Sequence, residues 1–261
     1  MHSVLRMAAF ALVAGSPAVS MTTCFDIEHA TTLYPDGSGK FAVSFTVLKE
    51  NYKDKKWDSA EEFLAGCLNA CEGYSAWSTP SLKEDETRLT YSVATYFEDI
   101  GKLRWMEAKG KHGIFWSFQL TENAKGHTLI FRDKILKDWI EAARKPLGPE
   151  EKECTSDDRY RVTITVPGKI TDMEGFPSAL GRVAEVSLDD KLKFAARNGE
   201  TAATKRLSTL SPEMKVTWTE STISNDQVEA FKKERAAAKE TWKAIEPRIR
   251  KIAEEKKKGD D

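Results

Sequence analysis

Histidine and cysteine are scarce in this chain, which contains four of each among its 261 residues. Cys67 and Cys71 stand four apart, and no pair of histidines accompanies them at the spacing that a zinc site requires. The sequence therefore predicts no metal site, and no motif in it indicates a cofactor.

The chain also lacks an excess of charge of either sign, because 40 basic and 41 acidic residues leave a formal net charge of -1. The body of the chain has no basic block of the kind that binds nucleic acid, so no nucleic-acid partner is expected. The apolar run near the N-terminus is too short to cross a bilayer, and no longer hydrophobic run follows it. We therefore expect no membrane-spanning helix in the body of the chain.

The N-terminus has the order of an export signal. Arg6 supplies a positive start, an apolar run follows over 7–14, and the small residues Ala18 and Ser20 come next. A signal protease could cut after Ser20, which would give a secreted or periplasmic protein. In the other interpretation Cys24 is the lipid-bearing first residue of a lipoprotein, held at a membrane by its acyl chains. We predict a lipoprotein-type signal over 1–23 with lipid attachment at Cys24, and which signal peptidase acts stays open.

The other cysteines leave their oxidation state undecided. Cys67 and Cys71 fall on one face of a predicted helix, where parallel side chains suit a disulfide poorly. In an exported protein one of them could instead pair with Cys154. The simpler alternative is a pair of buried apolar thiols.

Alternating apolar residues, turn glycines and capping residues predict the secondary structure. Strands are expected over 25–34, 40–48, 88–97, 114–120, 127–131, 160–166, 182–188 and 214–219, and helices over 58–72, over 133–144 and from 225 onward. This order predicts an α+β domain over 24–222, with an antiparallel sheet built from hairpins and helices packed on one face.

A charged amphipathic helix is expected over 223–261. Its apolar positions, among them Phe231, Trp242 and Ile249, follow steps of three and four residues. We expect this helix to dock on its own domain, and the alternative is a coiled-coil partner. The lysines over 256–258 could contact acidic lipid headgroups or form a solvated tail.

Catalytic constellations are not recognisable in the sequence. His29, His112 and His127 lie outside any nucleophile motif, and adjacent acids such as Glu61 and Glu62 are typical of a solvated face. We predict a protein without catalytic residues. The alternative is an exported hydrolase that uses acidic residues brought together by the fold.

Aromatic residues give the stronger functional indication. Trp105 and Trp116 lie in a region rich in rings, and such rings can stack on sugars or line a lipid pocket. We name these two tryptophans as candidate ligand-binding residues. The alternative is that both belong to the hydrophobic core.

Several segments together resemble the LppM-like envelope lipoproteins of bacteria and related exported proteins of unassigned function. They are Cys24 with the strand after it, then 34–39 (YPDGSG), 96–103 (YFEDIGKL) and 162–170 (VTITVPGKI). The resemblance implies a membrane-anchored α+β domain that faces outward from the cytoplasmic membrane, and the family's namesake is associated with glycolipid binding. We therefore expect an exported, lipid-anchored envelope protein that binds a lipid, a glycolipid or a protein partner without catalysis.

Overall fold

The computed structural model describes residues 25–49, 57–106, 114–123, 126–148 and 158–259. The predicted export signal, Cys24, His112 and Cys154 lie outside these residues. In chain order the elements are β1 (Phe25–Leu33), β2 (Gly39–Leu48), α1 (Ala60–Ala70), β3 (Cys71–Glu72), β4 (Ala76–Trp77), β5 (Ser81–Glu84), β6 (Arg88–Phe97), β7 (Arg104–Met106), β8 (Ile114–Asn123), β9 (Gly126–Asp133), α2 (Lys134–Arg144), β10 (Arg159–Thr165), β11 (Gly168–Glu174), β12 (Ser178–Leu180), β13 (Val183–Asp189), α3 (Asp190–Arg197), α4 (Thr201–Ser208), β14 (Glu213–Ser221) and α5 (Asn225–Gly259).

The strands form two sheets. Sheet A has the order β12-β13-β10-β1-β2-β6-β4, with β5 also paired to β6, and sheet B has the order β11-β14-β9-β8-β7-β3. Strands β1 and β10 run parallel, and the remaining pairs are antiparallel. The α+β class and the long C-terminal helix are confirmed. The expectation of one sheet needs correction, because the aromatic strands β8 and β9 build a second sheet that covers the first.

Rings from both sheets meet in the core between them. Phe41 on β2 lies 5.6 Å from Trp116 and 6.1 Å from Phe118 on β8, measured between ring centroids. Helix α1 covers the neighbouring part of the same inner face, where Phe63 packs 5.5 Å from Tyr91. Sheet B and the helices therefore bury the inner face of sheet A. One end of its outer face is covered by α5, where Glu234 bonds to Lys40 and Tyr96.

Predicted capping residues set the starts of two helices. Ser59 accepts a hydrogen bond of 3.2 Å from the Glu62 N–H, and the Glu62 carboxylate accepts one of 2.8 Å from the Asp58 N–H. Asp133 accepts a bond of 3.0 Å from the Leu136 N–H at the start of α2. Side-chain oxygens thus satisfy backbone donors that a helix start leaves without partners, as the sequence indicates.

Helix α5 packs on its own domain, as predicted. Phe231 stacks on Tyr34 with ring centroids 3.9 Å apart and planes 10° from parallel. The Glu234 carboxylate accepts hydrogen bonds from Lys40 Nζ at 2.8 Å and from the Tyr96 hydroxyl at 2.7 Å. Burial raises the pKa of Glu234, but these two bonds outweigh burial and hold the pKa below its ordinary value.

The far half of α5 lies against α1. Trp242, Ile249 and Ala253 are buried there, and Lys256 Nζ donates to the Glu62 carboxylate at 2.6 Å. The apolar seam found in the sequence is therefore the docking face of the helix.

Helices α2, α3 and α4 gather at one end of the two-sheet core, which we call the base. Asp26, next to the first residue of β1, pairs with Arg159 at the start of β10, and Arg159 pairs with Asp189 at the end of β13. Asp189 caps α3 by accepting from the Leu192 N–H at 2.7 Å. At the same end, the Asp133 N–H donates at 2.8 Å to the carbonyl of Pro212, which follows α4. The base is thus the end at which β1 begins.

Cys67 and Cys71 are free and buried in the structure. Burial raises the pKa of both thiols, with a smaller contribution to Cys67 from Cys71 and to Cys71 from Glu72. These residues therefore behave as small apolar side chains, which is one of the two alternatives that the sequence leaves open. The pairing with Cys154 falls outside the described residues.

Candidate functional site

A polar cluster lies between the two sheets, near the base. The Tyr160 hydroxyl donates a short hydrogen bond to one oxygen of Asp133, and Trp116 Nε1 donates to the other oxygen at 3.2 Å. His29 Nε2 lies 2.8 Å from the Tyr160 hydroxyl and 3.6 Å from the Asp133 carboxylate. The cluster joins strands β1, β8 and β10 to the start of α2.

Hydrogen-bond roles in the cluster follow from Tyr160. Burial, and secondly the charge of Asp133, raise the pKa of Tyr160 well above its ordinary value, so the hydroxyl keeps its proton and donates it to Asp133. Because that proton points to Asp133, His29 Nε2 must act as the donor to the Tyr160 oxygen. His29 Nδ1 has no hydrogen-bond partner among the described residues.

The cluster has the residue types of a catalytic site but not its accessibility. The side chains of His29 and Asp133 are both 0% exposed, and rings of Phe41, Trp116 and Phe131 surround the imidazole at centroid distances of 4.8–5.5 Å. A substrate would have to part the sheets to reach these groups. We therefore assign the cluster a structural role.

The tryptophans named from the sequence also lie in the core. Trp105 is 2% exposed and Trp116 is 1% exposed, and their rings pack edge to face with centroids 5.2 Å apart. Trp116 further uses its indole N–H to hold Asp133. The structure therefore places both side chains as packing residues between the sheets, with no open ring face to offer a ligand. This corresponds to the alternative that the sequence analysis leaves open for them.

An open groove of about 490 Å³ runs along the outer face of sheet A. Ala30, Ala42 and Ala94 form a row across three neighbouring strands, and their small side chains make its floor. The short connection from β4 to β5 contributes one wall. Hydroxyl-bearing side chains line the rest of the groove, at Ser44, Ser78, Thr79, Ser81, Ser92 and Thr163.

Charged side chains of the groove are paired with one another. Arg161 lies between Glu28 at 3.5 Å and Glu185 at 3.7 Å, and Lys40 pairs with Glu234 of α5. The two groove carboxylates are 56% and 44% exposed. The groove therefore presents matched hydrogen-bond donors and acceptors with little excess charge.

Among the described residues, no group of three or more histidine, cysteine or acidic side chains could hold a metal ion. In that same part of the chain, no helix is both long and apolar enough to cross a membrane.

Sequence reasoning missed the groove, although its signal is present. The outward positions of β2 and β6 alternate with the core residues, and in mid-strand they are small, at Ala42 and Ser44 on β2 and at Ser92 and Ala94 on β6. On β1 the outward set holds one small apolar residue, Ala30, which pairs with Ala42. Small residues in mid-strand, where a solvated face usually has long polar side chains, indicate a shallow trough.

No family model matches the sequence, and no curated protein matches it. Among solved structures, the folded domain of LppM from Mycobacterium tuberculosis aligns with 82% of this chain and 99% of its own, at 8% identity and a TM-score of 0.39. An M1 zinc metallopeptidase from Deinococcus radiodurans aligns with 75% of this chain and 42% of its own, at 9% identity and a TM-score of 0.23. The likeness to the LppM domain is loose and concerns the fold.

Proposed function

We propose that this chain is an exported, lipid-anchored protein of the cell envelope that binds a ligand without catalysis. The proposal is supported by the different accessibility of the polar cluster and the groove. The acid, histidine and tyrosine cluster is sealed between the sheets, whereas the open groove is lined by hydroxyls and small side chains. Binding surfaces are defined by shape and placed polar groups, and the groove has both.

The chemistry of the groove favours the sugar portion of a glycolipid or glycan as the ligand. Serine and threonine hydroxyls exchange hydrogen bonds with sugar hydroxyls, and Arg161 with its two glutamates offers donors and acceptors side by side. An acyl chain would need an enclosed apolar channel, whereas the apolar surface here is an open floor of three alanines flanked by hydroxyls and charged side chains. A glycolipid would therefore be held through its headgroup.

The alternative of an exported hydrolase has less support from the groove. A glycosidase of this type needs one carboxyl group that stays protonated near neutral pH, which requires an apolar, buried setting. Glu28 and Glu185 instead face solvent on either side of the Arg161 guanidinium, so neither has the apolar, buried setting that this role needs. We therefore propose binding alone.

Filling the groove should abolish binding. Ala42 lies in register between Ala30 and Ala94, so the side chain of Ala42→Trp would occupy the centre of the trough. On an array of bacterial envelope glycans and glycolipids, we expect this variant to lose at least roughly tenfold in affinity for every member that the wild type binds, since it excludes the ligand sterically. Thr165→Trp, on the same face outside the groove, is the matched control. Equal binding by wild type and Ala42→Trp would show that the groove is not the site.

The proposed anchor gives a second prediction. Cys24→Ala should move the protein from the membrane fraction to the soluble fraction of the envelope, because two acyl chains supply nearly all of the membrane affinity of such a protein. The measurement is fractionation and immunoblotting of both forms, with release by high salt as a control for peripheral attachment. Wild-type protein that is already soluble after export would contradict the anchor.

A further inference from the structure

The helices of the base carry more basic than acidic side chains, although the chain as a whole is nearly neutral. Across α2, the following Lys145, α3 and α4, nine side chains are basic and three are acidic, and the capping positions Asp133, Asp189 and Glu200 add three acids. The remaining residues must therefore carry a net negative charge. An asymmetry of this size creates a local positive potential at one end of the molecule.

A pocket of about 370 Å³ opens where these three helices meet. Ala143, Ala196 and Leu207 form its apolar floor, and two hydroxyl-bearing residues of α4 lie beside them. Three cations stand at the rim, namely Arg144, Lys145 and Arg197. None of the described residues that line the pocket is a carboxylate.

Arg197 is held in place at this rim by the backbone. Its Nε donates to the Lys145 carbonyl at 3.0 Å and its Nη2 donates to the Pro146 carbonyl at 3.2 Å. These bonds tie the end of α3 to the end of α2 and keep the three positive charges together.

The pocket lies at the end of the molecule from which the proposed anchor leaves. Cys24 directly precedes β1, and β1 begins at the base, where its Asp26 pairs with Arg159. Helix α3 starts directly after Asp189, which pairs with the same Arg159. A lipid on Cys24 would therefore bring the base toward the membrane surface.

We propose that the pocket at the junction of α2, α3 and α4 binds the phosphate group of an anionic phospholipid headgroup and seats the base on the membrane. Arg144 and Lys145 provide exposed charge, and Arg197 provides a fixed guanidinium suited to phosphate oxygens. The hydroxyl of Thr204 would donate to the same anion. The orientation of the base toward the membrane rests on the proposed function, because it requires the lipid anchor on Cys24. The recognition of phosphate by the pocket does not require the anchor.

The test measures vesicle binding by the full chain carrying Cys24→Ala, which removes the anchor. In co-sedimentation, this protein should bind vesicles of phosphatidylglycerol and phosphatidylcholine and should not bind phosphatidylcholine alone. Adding Arg144→Gln and Lys145→Gln should weaken binding roughly 30-fold, because each basic residue at an anionic surface contributes separately. The matched control is Lys102→Gln with Lys169→Gln, which removes the same charge at the end opposite the base and should change binding less than about twofold.

Soluble competitors separate a phosphate site from general charge attraction. Glycerol phosphate should displace the vesicles more effectively than sodium chloride at equal ionic strength. Equal displacement by the two salts, or equal weakening by both double variants, would overturn the proposal. Binding of glycerol phosphate without binding of anionic vesicles would also overturn it, since the source of the phosphate would then be a soluble molecule. Because these assays use Cys24→Ala protein, failure of the anchor leaves their outcome unaffected.

Discussion

Replacing Asp133 by alanine is expected to lower the free energy of unfolding by about 3–5 kcal/mol, because buried donors lose a charged acceptor. Three groups donate to this carboxylate, namely the Tyr160 hydroxyl, the Trp116 indole and the Leu136 N–H. The last of these bonds caps α2. For a domain of this size the melting temperature should fall by roughly 10 °C, measured by circular dichroism.

Two further variants make this expectation sharper. Tyr160→Phe removes one donor and keeps the ring, so it should cost less than Asp133→Ala, about 1–3 kcal/mol. Glu141→Ala removes an exposed carboxylate from the same helix and should change stability by less than about 0.5 kcal/mol. A loss below 1 kcal/mol for Asp133→Ala would mean that the cluster contributes little, and would reopen a functional role for His29 and Tyr160.

Removal of α5 after Ser224 is expected to have the largest effect on stability. The helix buries Phe231, Trp242 and Ile249, and fully burying one such side chain contributes about 1.5–3 kcal/mol. Truncation would also expose the residues that α5 covers, including Trp77 of β4. We expect a loss of at least roughly 5 kcal/mol, which is comparable to the whole stability of many domains. The truncated protein should melt far earlier than the full chain or show no cooperative transition.

A pair of point variants tests the same packing without removing the helix. Ile249→Asp would bury a carboxylate at the contact with α1 and should destabilise the protein by several kcal/mol. Lys251 lies on the exposed face of the same turn, so Lys251→Asp is the matched control. Unchanged melting of the truncated chain, together with self-association of the wild type in sedimentation, would show that α5 serves a partner.

Local sequence signals predicted the regular elements well. The hairpin of β1 and β2 follows from alternation around the Pro35–Gly39 turn, and both helix starts follow from capping residues. The seam of α5 followed from its steps of three and four. These features depend on residues close together in sequence, where the period of the apolar residues and their secondary-structure propensity determine the local structure.

Features that depend on distant residues could not be predicted in the same way. The pairing of β1 with β10 joins segments more than a hundred residues apart, and the division of strands into two sheets depends on such pairings. Helices α3 and α4 were missed, because each is eight residues long and carries a weak apolar pattern in a polar region. The strands β3, β4, β5, β7, β11 and β12 were also missed, because all but β11 have four residues or fewer and β11 is an exposed strand at the edge of sheet B.

The candidate sites likewise depend on residues that are far apart in the sequence. Trp105 and Trp116 are candidates because aromatic rings bind ligands, but both belong to the second sheet and are buried where it packs on the first. The groove and the basic pocket each combine residues from at least three elements. Only the assembled fold brings those residues together.

Mass spectrometry of the mature N-terminus, on protein purified from membranes of its host, tests the central claim of envelope anchoring most directly. The proposal predicts an N-terminal peptide that begins at Cys24 and carries the mass of a diacylglyceryl group. An unmodified peptide that begins at Met21, after cleavage at Ser20, would contradict the anchor.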